Sequence, residues 1–179
     1  KELDHTFPVV MLITGFSDLS REDAYHYGAE AILAKPFDLD EIGATVNRIL
    51  TPKQILWDKK PAENKIKTKI EQTFPAISQA IQANGLGLGR GGIFLKLMGR
   101  LPVRGERVAL RISFEDGEVL SIEGSGIVRW VRAAPEGELP EGCGIEFDSL
   151  TAQAREQVLA LVDEMKLGPF IPKAPYPAL

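Results

Sequence analysis

Five glycines fall within eight residues in Gly85-Leu86-Gly87-Leu88-Gly89-Arg90-Gly91-Gly92, and the apolar run Ile93-Phe94-Leu95 follows at once. Two chemistries fit that composition. Gly87-x-Gly89-x-x-Gly92 has the spacing of a dinucleotide fingerprint, in which glycines let the backbone approach a pyrophosphate. Arg90 is the one charged side chain inside the tract and could meet a phosphate. The same residues also suit a bent turn entering a strand, where glycine supplies positive φ at little steric cost. The fingerprint requires a helix after the glycines and an acidic residue about 20 positions later. Here a strand-like run follows and position 112 is Ile112, so the turn is the preferred reading and Arg90 is expected to be a solvated turn residue.

Other chemistry-bearing residues stand alone. Cys143 lies between two glycines before an apolar run, which suits a small buried residue better than a nucleophile. His5 and His26 have no neighbour at metal or acid–base spacing, and His26 between Tyr25 and Tyr27 is expected on a helix surface. Trp130 sits in an alternating segment and is expected in a core rather than as a stacking platform. No nucleophile elbow, carboxylate pair or metal spacing stands out, so the chain is expected to be no enzyme and to carry no resident cofactor.

The chain has 179 residues, 44% apolar and 26% charged, ordinary values for a globular protein. No apolar run approaches the roughly 18 residues of a membrane span. The lone cysteine forbids an internal disulfide and suits a reducing cytoplasm. The net charge of −4 hides an asymmetry, since residues 1–50 and 108–179 are acidic and residues 51–107 are strongly basic. A basic middle suggests an anionic partner there, nucleic acid being one option, or else a solvated lysine-rich linker.

The elements that must carry these residues follow from periodicity. Pro8–Gly15 is a continuous apolar run, as in a strand covered on both faces. Ser20 and Asp23 form a capping-box start to a short helix ending near Gly28. Ala31–Ala34 is a second short strand stopped by Lys35-Pro36. Asp38 and Glu41 open another helix, with Ile42, Val46 and Ile49 as its apolar stripe. Residues 1–50 therefore read as an α/β piece of order β-α-β-α. Residues 51–64 read as a linker in which Trp57 can dock on either neighbour.

Beyond it the period changes to two. Lys65–Phe74 and Val108–Phe114 alternate, Asp116-Gly117 marks a hairpin turn, and Val119–Ile122, Ile127–Val131 and Gly144–Phe147 supply further strands. Many short, mostly antiparallel strands indicate a small barrel over residues 65–168. Thr151 opens a closing helix with Val158, Leu161, Val162 and Met165 on one face, ended by Gly168-Pro169. The tail, residues 169–179, is expected to be extended or mobile.

Two stretches resemble known families. Leu12-Ile13-Thr14-Gly15, followed by Gly28-Ala29-Glu30-Ala31-Ile32-Leu33-Ala34-Lys35-Pro36-Phe37, resembles the second half of a response-regulator receiver domain. The resemblance implies that Thr14 is a strand-end hydroxyl turning toward a phosphoryl group and that Lys35, before a cis proline, pairs with that group. The family's phosphate-accepting aspartate belongs to an earlier strand, and only 13 residues precede Thr14, so the phosphorelay site is expected outside this chain. Ile32 also stands where the family usually has its aromatic switch.

Residues from about 65 to 167 resemble a PilZ domain, a bacterial small barrel known for binding cyclic di-GMP. The resemblance rests on Gly91-Gly92-Ile93-Phe94-Leu95, Leu101-Pro102-Val103-Arg104-Gly105, Gly126-Ile127-Val128-Arg129-Trp130-Val131 and Gly142-Cys143-Gly144-Ile145-Glu146-Phe147. The family motif has Asp or Asn, then Ser two residues on, then Gly three beyond, ending at Gly92. Gly87 and Gly89 stand at the first two positions, so both guanine-contacting side chains are gone. The family's paired arginines before the first strand are also missing, because no arginine occurs between Arg48 and Arg90. Lysine lacks the planar fork that would replace them.

The expectation is therefore a receiver-linked PilZ-type regulator of signal transduction. It works through a protein partner, with cyclic di-GMP binding lost or weakened at Gly87, Gly89, Arg90 and Gly92. A homodimer through the receiver-like segment is a further expectation. The alternatives are a cyclic di-GMP effector with a modified site and, behind it, nucleic-acid binding through the basic middle.

Overall fold

The computed structural model describes residues 8–13, 19–59, 66–83, 85–116 and 121–174. Thr14, Lys60, Lys65 and the Gly117 turn lie outside them.

Two parallel strands, β1 (Val10–Ile13) and β2 (Ala31–Ala34), flank the short helix α1 (Arg21–His26) and lead into α2 (Leu39–Leu50) and α3 (Lys53–Leu56). Side chains start the first two helices as the sequence indicates. Ser20 accepts from the Asp23 N–H at 3.1 Å and Asp38 from the Glu41 N–H at 2.6 Å, satisfying donors that a helix start leaves open. Gly28 adopts φ +94° after α1. On α2 the inward residue is Ile49, with Ile42 half-buried, while Val46 is turned to solvent. The expected Ile42–Val46–Ile49 stripe is thus narrower than its spacing suggested.

The remaining strands form one six-stranded mixed sheet in the order β3-β6-β7-β8-β5-β4. They are β3 (Thr68–Phe74), β4 (Leu86–Leu88), β5 (Gly92–Lys96), β6 (Arg107–Phe114), β7 (Ser121–Arg132) and β8 (Gly142–Leu150). All neighbours run antiparallel except β3 and β6, which pair in parallel from Thr68↔Val108 to Phe74↔Phe114. The chain between them crosses over through the helix α4 (Ile77–Gln82), β4 and β5. Gln72 Nε2 on β3 donates to the Lys96 carbonyl at the end of β5, 2.8 Å away. The sheet is therefore curled into a half-barrel rather than lying flat.

Val108, Leu110, Ile112 and Phe114 of β6 point inward with Ile122, Val128, Ile145 and Phe147. The helix α5 (Ala152–Glu164) closes this core with Ala154 and Val158. Thr151 accepts from the Ala154 N–H at 3.3 Å. The helix stops at Glu164, before the expected Gly168-Pro169, because Lys166 turns left-handed at φ 48°. Met165 is therefore past the helix and 39% exposed instead of completing the apolar face. Trp57 docks on the barrel, edge-on to Phe147 with ring centroids 5.5 Å apart, and its carbonyl accepts from the Leu150 N–H.

Strands β5 and β8 are buried on both faces. Their inner side chains belong to the barrel core. The outer face carries a second cluster of Phe94, Trp130, Tyr25, Phe170 and Ile171, with Ile32 packed against it. Helix α1 and the segment after α5 supply its cover. Residues 169–174 are thus seated against the sheet, and Phe170 and Ile171 are 0% exposed. The tail expected to be extended or mobile is, over these residues, part of the packing.

Candidate functional site

The glycine tract forms the end of β4, a tight turn and the start of β5. Gly87 pairs with Phe94 and Leu88 with Ile93, and the Gly89 N–H closes the turn on the Gly92 carbonyl at 2.8 Å. None of the tract's glycines has a left-handed φ, which corrects the expectation of positive-φ glycines. Their small size serves close approach instead. A β-carbon on Gly91 would sit 1.8 Å from Phe170 Cε2, and one on Gly89 would sit 2.5 Å from the Phe170 carbonyl oxygen. The Cβ position at Gly87 lies 3.0 Å from Pro172 Cγ, whereas Gly92 faces the Ile145 carbonyl of β8 at 2.2 Å.

The same segment closes the tract's open hydrogen bonds. The Arg90 N–H donates to the Pro169 carbonyl and the Gly91 N–H to the Phe170 carbonyl, each at 3.0 Å. The Phe170 N–H donates onward to the Tyr25 carbonyl of α1 at 3.2 Å. Phe170 thus lies between the tract and α1, its ring stacked 6.1 Å from that of Tyr25. Burying a side chain of this size contributes about 1.5–3 kcal/mol.

Arg90 is not a solvated turn residue. Its Nη1 is ion-paired with Glu30 Oε1, Nη2 donates to the Gly28 carbonyl at 2.8 Å, and Nε donates to the Gly168 carbonyl at 3.1 Å. The guanidinium also lies 5.6 Å from the Phe170 ring centroid. Glu30 is only 4% exposed. Lys53 Nζ stands 3.5 Å from its other oxygen and 4.7 Å over the same ring. Burial pulls the Lys53 ammonium below its ordinary range, against the attraction of Glu30 and Glu146.

Further ion pairs join residues 19–59 to the barrel. Glu146, opposite Gly92 in the β5–β8 register, takes Arg48 on Oε1 and Arg129 Nε on Oε2, the latter at 2.5 Å. Burial opposes the charge on Arg129, but attraction to Glu146 prevails and raises its pKa. Arg132 reaches Glu22 Oε2 and the Lys173 carbonyl, each at 2.8 Å. Lys173 Nζ meets Asp23 at 2.6 Å, and the Lys173 N–H donates to His26 Nδ1 at 3.4 Å. His26 is therefore half-buried against the tail rather than a free helix-surface residue.

Of the expected site positions, Gly87, Gly89, Arg90 and Gly92 come together on one face. Lys35 is exposed, and its peptide bond to Pro36 is cis. Thr14 lies outside the described residues. Trp130 is 4% exposed, stacked on Phe94 at 5.6 Å, and Cys143 is fully buried. Among the described residues no group of His, Cys, Asp or Glu could hold a metal ion. Among the described residues no helix is long and apolar enough to cross a membrane.

Phe170, Glu30 and Glu146 were not expected at this face. The apolar run Phe170-Ile171-Pro172 was the available signal, since such residues rarely stay exposed together. The turn, the two-faced strands and the closing helix are matched by a comparison with known families: the PilZ domain model covers residues 66–164. No curated protein matches the chain. With its curled mixed sheet, closing helix and matched sequence spanning more than half the chain, the protein belongs to the PilZ domain family.

Proposed function

We propose that this chain is a non-enzymatic regulator of cyclic di-GMP-linked signalling that acts through protein contacts and no longer holds cyclic di-GMP in the family's usual manner. PilZ membership supports the signalling class. One observation carries the finer reading: the face where the family presents guanine-contacting side chains has Gly87 and Gly89 there, and Phe170 and Pro172 cover them. Arg90, the one charged residue of the tract, is engaged by Glu30 and two carbonyls.

The receiver-like reading of residues 1–50 belongs to this proposal too. Its support is the parallel β1–β2 pair, in which Ile13 lies beside Ala34, so the strand ends that precede Thr14 and Lys35 are adjacent.

Isothermal titration calorimetry with cyclic di-GMP tests the ligand claim. No heat of binding is expected at tens of micromolar protein. Saturable binding tighter than about 10 μM, roughly 7 kcal/mol, would overturn it. The Phe170→Ala variant is expected to remain silent as well, because uncovering the tract does not restore the missing donors.

A further inference from the structure

Arginine in this protein is nearly everywhere paired. Each one apart from Arg21, Arg100 and Arg104 has a carboxylate partner. Among the described residues those three have no ion-pair partner, and all three line clefts that share the loop Leu101–Arg104. Arg21 and Arg104 face a cleft of about 670 Å³ that also contains Glu22 and Glu136. Arg100 and Arg104, with Lys67, face a second cleft of about 720 Å³. The carboxylate there is Glu106, whose oxygens are taken by the Thr68 hydroxyl and by the Val103 N–H at 3.0 Å. Those two hydrogen bonds hold its carboxyl below the usual range. The cleft therefore presents three cations against one carboxylate, Glu106, whose charge is felt by Arg100 and Lys67 and leaves a net positive balance.

The loop that carries the arginines is fixed. Pro102 is buried, the Glu106 N–H returns to the Val103 carbonyl at 3.0 Å, and the Gly105 N–H donates to the Val128 carbonyl at 2.7 Å. Val103 within this loop is 67% exposed, and Met98, two residues before Arg100, is 80% exposed. Pre-ordered loops lose little entropy on binding. An arginine fork matches a carboxylate in two hydrogen bonds, and methionine adapts to varied apolar partners. Single-stranded nucleic acids are held on aromatic platforms, and no aromatic residue lines this cleft; phosphate contacts to a duplex need no such platform and are tested by the duplex control below.

We propose that the cleft bounded by Lys67 and the loop Arg100–Gly105 docks an acidic segment of a partner protein, whose carboxylates meet Arg100 and Arg104 and whose apolar anchor rests on Val103 and, beyond the cleft, on the exposed Met98. The proposal rests on the reading that the chain acts through protein contacts. It does not depend on whether cyclic di-GMP binds, so calorimetry with that ligand leaves it standing or falling separately.

The test is selection of a random dodecapeptide display library on the whole chain, followed by fluorescence anisotropy on the enriched peptides. Enrichment of sequences combining Asp or Glu with a large apolar residue is expected. Their affinity should fall about tenfold or more in Arg100→Glu/Arg104→Glu and several-fold in Met98→Ser/Val103→Ser. An unchanged thermal midpoint would show that the exposed substitutions leave the fold intact. Enrichment without acidic residues, or binding equal in wild type and the Arg100→Glu/Arg104→Glu variant, would overturn the proposal. So would tighter, arginine-dependent binding of a 20-base-pair DNA duplex or of phosphatidylserine vesicles, run alongside.

Discussion

Phe170 fills the space that a side chain at Gly91 would need: a β-carbon there would stand 1.8 Å from the ring. The two residues are 79 positions apart in the chain, and the Gly91 N–H also donates to the Phe170 carbonyl. The glycine is thus explained by the chain's own tail.

Gly91→Ala should accordingly displace the tail. Overpacking of this kind costs about 1–3 kcal/mol, or a few degrees in thermal midpoint for a chain of this size. Gly43→Ala is the counterpart, since its Cβ would meet nothing within 4 Å on the exposed side of α2. It should raise stability by about 0.5–1 kcal/mol through helix propensity. Differential scanning calorimetry on both variants checks the opposite signs, and limited proteolysis should cut behind Leu167 only in Gly91→Ala.

Arg90 and Glu30 should behave as a coupled pair. Arg90→Lys keeps the charge but loses the fork that reaches Gly28, Gly168 and Glu30 together, so about 1–3 kcal/mol should be lost. Arg90→Met should cost more because the buried Glu30 loses one of its cations and keeps Lys53 at 3.5 Å, and Glu30→Gln in the same chain should recover part of that loss. Urea unfolding of the wild type, Arg90→Met, Glu30→Gln and the double variant gives the coupling energy; additive losses would show the pair to be independent.

His26 should make the tail sensitive to mild acid. Burial, reinforced by the nearby Lys173 charge, lowers its pKa from the ordinary 6.5, against the opposing attraction of Asp23. A group whose folded pKa is depressed stabilises the fold above its unfolded value and loses that contribution as pH falls through the folded one. The thermal midpoint should therefore drop between pH 7.5 and 5.5, and His26→Gln should flatten the drop over that interval. Asp23, held low by hydrogen bonds from Lys173 and Ser20, contributes in full above its ordinary range and loses that contribution as pH falls from about 3.8 through its lower folded value.

Cys143 should be inert in the folded protein. Burial pushes its thiol up to about 12, and no solvent reaches it. At pH 8 the aromatic disulfide reagent DTNB should release no thiolate until denaturant is added, and one equivalent thereafter. Prompt reaction in native buffer would contradict this packing.

The sequence is readable where one residue meets one environment. Val108, Leu110, Ile112 and Phe114 alternate because only one face of β6 meets the core, and Ser20, Asp38 and Thr151 announce their helices by side-chain caps. Helices α3 and α4 have Pro52 and Ala76 at their starts with no such cap, so nothing marked them. At β5 and β8 alternation fails because both faces are covered. What covers the outer one comes from the far end of the chain and from α1, and no local pattern carries that information. Arg90 reads locally as a solvated turn residue for the same reason: its partner Glu30 is 60 positions away.

Glu146 joins Arg48 to Arg129 from a position beside the glycine turn, and this turns a surface of the barrel into an interior. Residues 19–59 and the half-barrel should then melt as one cooperative unit, with backbone amides of β8 exchanging only on global opening. Substitutions on the outer side of β5 and β8 should be as poorly tolerated in a mutational scan as those facing the core. The barrel has, in effect, acquired a second inside.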